Sequence, residues 1–285
     1  MNKLRLDSLI ALLDDPDDSV FNLVLEELIK EDISIVDRLE HIWETSFDKL
    51  VQKRVELIIQ QIQLKDTKAK IRKWATQESI DLFEGIFLIA RYQYPELKLK
   101  TVHAQLEKIR KDIWLEFKNS LTSLEKITIL NHIFFNHYKF KINRDNIDSP
   151  QNNYINRVLD TRYGNPISIA ILYTLVARSL NLPVHYIDFE NNPLVAYFDK
   201  NMAQLVNGQN SNHILFYINP SNKGAIIGPK EVEYIQPSAD VPGNRTEPCP
   251  DRTIIKRLIE KLSSDYQQAG SPEKVNYLRE IAEVL

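Results

Sequence analysis

The chain has 285 residues, 43% of them hydrophobic and 26% charged, with a net charge of −3 and a pI near 6.1, which is ordinary for a water-soluble globular protein of one or two domains. Its cations and anions are interspersed, with no basic stripe for nucleic acid and no acidic tail, so no nucleic-acid partner is expected. Cys249 is the single cysteine, so no internal disulfide can form, and no apolar stretch approaches the about 18 residues of a membrane span; no membrane partner and a cytoplasmic location are the expectations.

In chain order the first half reads as helix. Apolar residues at helical spacing run Leu6, Leu9, Ile10, Leu13; then Val20, Phe21, Val24, Leu25, Leu28; then Ile35, Val36, Leu39, Ile42; then Leu50, Val51, Val55, Ile58, Ile62. Asp15-Pro16 breaks the first from the second, with Asp17 or Asp18 placed to cap the restart. The text LLDDPDDSVFNLVLEEL resembles a HEAT-type helical repeat. About one and a half repeats are visible, too few for a solenoid. Further helices are predicted over Ile80–Arg91, Val102–Phe117 and Ser123–Tyr138, followed by a polar loop from Lys139 to Gln151. Glu84 lies between Phe83 and Phe87 and is expected to be partly buried, bound to Arg91 or a loop amide rather than serving a ligand.

The second half changes character. Gly164-Asn165-Pro166 opens the most apolar helix, Ile167 to Leu180, which should be buried. Val184–Phe189, Leu194–Phe198 and His213–Ile218 are rich in β-branched and aromatic residues and read as strands, with Asn207-Gly208 as the turn between the last two. Proline is frequent from Ile235 to Asp251, which reads as a linker, and two helices, Arg252–Leu262 and Pro272–Leu285, close the chain. The predicted fold is α+β and mostly α: a helical region over 1–148, HEAT-like at 1–65, then a core with a central helix and antiparallel sheet over 149–238, then a linker and helical hairpin over 239–285.

The segment NNYINRVLDTRYGNPISIAILYTLVARSLNLPVHYIDF, continuing through PLVAYF to HILFYINPSNKGAII, resembles the SirB-type transglutaminase-like domain family. That resemblance implies a cysteine nucleophile at the start of the central helix, where the helix terminus lowers a thiol pKa, a histidine base on the next strand and an Asp or Asn beyond it. These positions map to Pro166, Asn192 and Asn219. Proline has no nucleophile and no N–H, and an amide takes up no proton at neutral pH. No histidine lies between His185 and His213, so this vacancy tolerates a slip in alignment. The reading that follows is a non-catalytic protein that binds a protein or peptide, through a vestigial cleft lined by Asn165, Ser168, Asn192 and Asn219 or through its helical surface. The alternative is a hydrolase or acyl-transfer enzyme rearranged around Ser168, which needs a base within hydrogen-bond reach.

Cys249, between two prolines, reads as a spare thiol rather than a partner for His213. His132 and His137 would stand about 140° apart on an α-helix, so they do not make a metal face. No metal and no cofactor is expected.

Overall fold

The computed structural model describes residues 3–189, 192–207, 213–235 and 247–285. Their contacts divide into two compact units, residues 3–76 with 283–285, and residues 77–282.

In the first unit, α1 (Lys3–Ile10), α2 (Asp18–Ile29), α3 (Val36–Thr45) and α4 (Lys49–Ala75) follow one another through short polar turns. Asp17 and Asp48 cap α2 and α4 by accepting the N–H of Ser19 and Leu50. The apolar stripes meet in a core of Leu13, Val24, Leu28, Leu39, Val55, Ile58 and Ile62. One charge enters it. Arg54 is 4% exposed, donates to the carbonyls of Leu13 and Asp15, pairs with Asp18 at 3.0 Å and lies over the ring of Phe21. The guanidinium thus satisfies carbonyls left open where the chain turns from α1 to α2. The spacing showed α4 only to Ile62; the helix runs on to Ala75 through the mostly polar stretch Gln63–Lys70.

The second unit begins with α5 (Leu82–Gln93), α6 (Leu99–Glu116) and α7 (Ser123–Asn131). Thr122 and Glu125 form a reciprocal cap on α7: Thr122 Oγ accepts the Glu125 N–H at 3.3 Å and Glu125 accepts the Thr122 N–H at 2.8 Å. The chain then loosens into a π-helical turn, His132–His137, which the apolar spacing did not reveal. Phe134 and Phe135 from this turn pack on Tyr173, at 5.4 and 5.9 Å between ring centres. The stretch expected as a plain loop carries β1 (Lys141–Ile142), which pairs in parallel with β2 (Tyr163–Gly164) around α8 (Ile155–Thr161). Arg162 closes α8 in the left-handed conformation.

The apolar helix α9 (Pro166–Ser179) is buried along most of its length, as its composition predicts. It packs against a four-stranded antiparallel sheet in the order β3 (Val184–Ile187), β4 (Leu194–Phe198), β5 (Ile214–Asn219), β6 (Ala225–Ile227). β4 and β5 pair antiparallel as expected, but the connection between them holds more than the turn signalled at Asn207-Gly208. Helix α10 (Lys200–Asn207) stands there, while Gly208 lies outside the described residues. Helix α11 (Pro229–Ile235) follows β6; much of the predicted proline-rich linker, 236–246, lies outside the described residues. Helices α12 (Asp251–Gln268) and α13 (Pro272–Ala282) pack on each other, with α12 also against α5 and α9. The mostly helical α+β architecture matches the expectation.

Candidate functional site

The start of α9 is built by four residues within five positions. Gly164 is required because a Cβ there would come within 2.6 Å of Ser168 Oγ. Asn165 is fully buried and caps the helix: its Oδ1 accepts the Ser168 N–H at 2.9 Å. Pro166 occupies the first helical turn, where the missing N–H removes a donor that would have no helical partner. Ser168 completes the reciprocal cap. Its Oγ accepts the Asn165 N–H at 3.0 Å and donates to the Asn165 carbonyl at 3.2 Å. Among the described residues no imidazole or carboxylate bonds this hydroxyl, which is engaged with backbone alone.

Behind the cap runs a buried polar chain that the sequence did not announce. Asn165 Nδ2 donates to Asn153 Oδ1 at 2.7 Å, and Asn153 Nδ2 donates to Asp265 Oδ2 at 2.6 Å. Asp265 is fully buried and pairs with Lys261, which also reaches Asp148 at 2.8 Å. Burial pushes the Asp265 carboxyl above its ordinary value, opposed by Lys261 and the Asn153 amide. The chain carries side-chain hydrogen bonds from α12 through the turn before α8 to the start of α9. Asn153 and Asp265 are 112 residues apart, so spacing could not have found the bond between them.

The other mapped positions sit at strand ends. Asn219 ends β5 and caps the turn Pro220–Asn222, accepting the Ser221 N–H at 3.0 Å. That turn packs against α9. Asn192 is exposed two residues before β4, its N–H donating to the Phe189 carbonyl. The structure therefore joins Asn165 and Ser168 directly and sets Asn219 in a turn against the same helix. Among the described residues, no side-chain hydrogen bond ties Asn192 to them.

Two tyrosines of the second unit, Tyr173 and Tyr197, are buried. Tyr173 donates to Asn131 Oδ1 at 2.8 Å, and Asn131 donates onward to the Gly224 carbonyl. Gly224 takes a positive φ of 75°, and a Cβ there would meet the Asn131 side chain at 2.1 Å. Tyr197 stacks on Phe216.

Cys249 is buried, and burial, with Asp188 adding to it, pushes its thiol up to about 12. A thiol so placed is not a thiolate near neutral pH. Its N–H donates to the Tyr186 carbonyl of β3, whereas His213 is exposed at the head of β5. His185 is half-buried against Phe198; burial, then the Arg178 charge, lowers its pKa. The estimate of about 140° between His132 and His137 assumed α geometry. The π turn changes that angle, yet no group of residues among those described could hold a metal ion. Glu84 is half-buried as expected, and among the described residues it forms no ion pair with Arg91. Among the described residues no helix is long and apolar enough to cross a membrane.

Comparison with known proteins places these features in a family. A sequence model described as "Transglutaminase-like superfamily" matches residues 100–260, more than half of the chain. The UPF0162 protein of Xylella fastidiosa is 29% identical over 201 residues, covering 66% of this chain and 66% of that one. The UPF0162 protein of Vibrio cholerae is 22% identical over 192 residues, covering 66% of this chain and 67% of that one. F-box only protein 21 of Homo sapiens is 27% identical over 240 residues, covering 76% of this chain and 36% of that one. The match thus spans about two thirds of the bacterial relatives and about a third of the human one. No solved structure matches. The central helix with its Gly-Asn-Pro entrance, the antiparallel sheet against it and the family match together identify the chain as a member of the transglutaminase-like superfamily.

Proposed function

We propose that this chain is a non-catalytic member of the superfamily that binds or scaffolds a protein or peptide. The observation that supports this most is the state of the α9 start. The position expected to carry a cysteine is Pro166, and the nearest hydroxyl, Ser168, is held in a reciprocal cap with the Asn165 backbone. A hydroxyl becomes a nucleophile when a neighbouring base takes its proton. Ser168 has backbone partners in that place. Asn192 and Asn219 would stand where a base and its orienting group belong, and neither amide can serve as a base. The protein-binding half of the reading is supported by apolar side chains left in solvent, Trp43 and the fully exposed Phe47 at the turn between α3 and α4.

Two measurements test the two halves. A fluorophosphonate probe incubated with the full chain is expected to leave Ser168 unlabelled; an adduct on Ser168 would return the hydrolase reading. Affinity capture from the native cell is expected to retain a discrete protein with the wild-type chain and to lose it with Phe47→Asp. Capture of the same proteins by both forms would remove this surface from the reading.

A further inference from the structure

A second site lies in the segment between β1 and β2 and owes nothing to the vestigial positions. A cavity of about 250 Å³ is lined by Asn143, Asp145, Gln151, Asn152 and Arg157, with Thr161 and Tyr163 beside them. This is the share of about eight waters in the liquid. Its lining is polar, and most of that polarity is already committed to the fold. Asn143 Nδ2 donates to Asn152 Oδ1 at 3.1 Å, and Asn152 donates to the carbonyls of Asn146 and Ile147. Thr161 Oγ1 donates to the Arg157 carbonyl at 2.7 Å. These bonds make the walls rigid, as a preformed site requires.

Three groups are left over. Arg157 is half-buried on α8, and no carboxylate among the described residues pairs with it. Its Nε is buried without a hydrogen-bond partner. Gln151 Oε1 is taken by the Tyr94 hydroxyl, so its amide NH₂ remains as a donor at the cavity edge. Asp145, which also lines the cavity, is exposed and unpaired among the described residues. A guanidinium held partly out of water without an acceptor is unfavourable, and a carboxylate that meets its fork relieves this through two charge-assisted bonds. One guanidinium beside one carboxylate suits a ligand with one charge of each sign. A phosphate dianion would meet repulsion from Asp145.

We propose that this cavity binds a zwitterionic α-amino acid, its carboxylate on Arg157 and the Gln151 amide and its ammonium on Asp145. The site is independent of the non-catalytic reading of α9 and stands or falls without it.

The test is calorimetric titration of the full chain with glycine, L-glutamine and L-glutamate, with acetate, methylammonium and inorganic phosphate titrated in parallel. Saturable binding of at least one amino acid is expected, stronger than acetate or methylammonium alone. Arg157→Lys keeps the charge and removes the planar fork, and should weaken that binding by about tenfold. Asp145→Asn, at an exposed position that leaves folding intact, should weaken the amino acid and leave acetate unchanged. No saturable binding of any amino acid overturns the proposal, as does equal affinity in wild type and both variants. Tighter binding of phosphate than of every amino acid overturns the ligand class. Thermal unfolding of each variant, expected to match wild type, separates a lost contact from a lost fold.

Discussion

Helices α7 and α9 start with the same device in two different media. In each, the cap residue and the third helical residue exchange hydrogen bonds, Thr122 with Glu125 and Asn165 with Ser168. The first pair is exposed to solvent. The second is buried and continues through Asn153 and Asp265 to Lys261. Water can replace a lost partner at Thr122. At Asn165 nothing can, because the neighbouring donors and acceptors are sealed from solvent. The same motif therefore acts as a local helix start in one place and as one end of a tertiary brace in the other. The brace ends at the start of α9, where the Ser168 hydroxyl bonds the Asn165 backbone.

That contrast orders the expected effects of mutation. The largest belongs to Asp265→Ala, which leaves Lys261 and the Asn153 amide facing a buried vacancy; a loss of about 3 kcal/mol in urea unfolding is expected. A loss below about 1 kcal/mol would mean that the brace bears little on stability and that the two caps are equivalent. Asn165→Ala comes next, at about 2 kcal/mol, since it removes a cap and strands both Ser168 N–H and Asn153 Oδ1. The smallest is Thr122→Ala, about 1 kcal/mol by the same unfolding measurement. The smallest effect also carries a pH signature. The backbone N–H and hydroxyl of Thr122 hold the Glu125 carboxyl below its ordinary 4.5. A depressed carboxyl pKa stabilises the fold above the unfolded value and ceases to do so as pH falls through the folded one. The difference between wild type and Thr122→Ala should accordingly narrow when unfolding is repeated below pH 4.5. A difference that stayed constant to pH 3 would mean that the Thr122 hydroxyl has no part in lowering the carboxyl, since the variant keeps the backbone N–H.

What the sequence made legible follows the range of the forces involved. The start of α9 was readable because Gly164, Asn165 and Pro166 act on their immediate neighbours. The cap by Asn165 and the backbone bonding of Ser168 are both local. The three strands with dense β-branched and aromatic residues were readable for the same reason. Helix α10 was hidden by Asn207-Gly208, a pair that also serves hairpins. Its Met202, Leu205 and Val206 are exposed, so no buried stripe advertises it. The π turn was hidden because Phe134 and Phe135 settle against Tyr173, a contact over some forty residues that spacing within one helix cannot express. The middle of α4 was hidden because its residues are polar. At the candidate site, Asn153 and Asp265 were missed altogether. Each is unremarkable in its own segment, and their bond spans 112 positions. That Arg157 has no carboxylate partner among the described residues was equally invisible, since it depends on where distant carboxylates come to rest.

The bond from the Cys249 N–H to the Tyr186 carbonyl has one more consequence. Strand β3 is the last in its row, and a terminal strand offers its unpaired backbone to any other chain, the first step of sheet-to-sheet polymerisation. Cys249, flanked by Pro248 and Pro250, fills part of that edge with a backbone whose neighbours on either side have no N–H to extend the ladder. At the far margin β6 is three residues long and gives a newcomer little to grip. Cys249 and its two prolines thus leave less unpaired β3 edge for a strand of another chain to join.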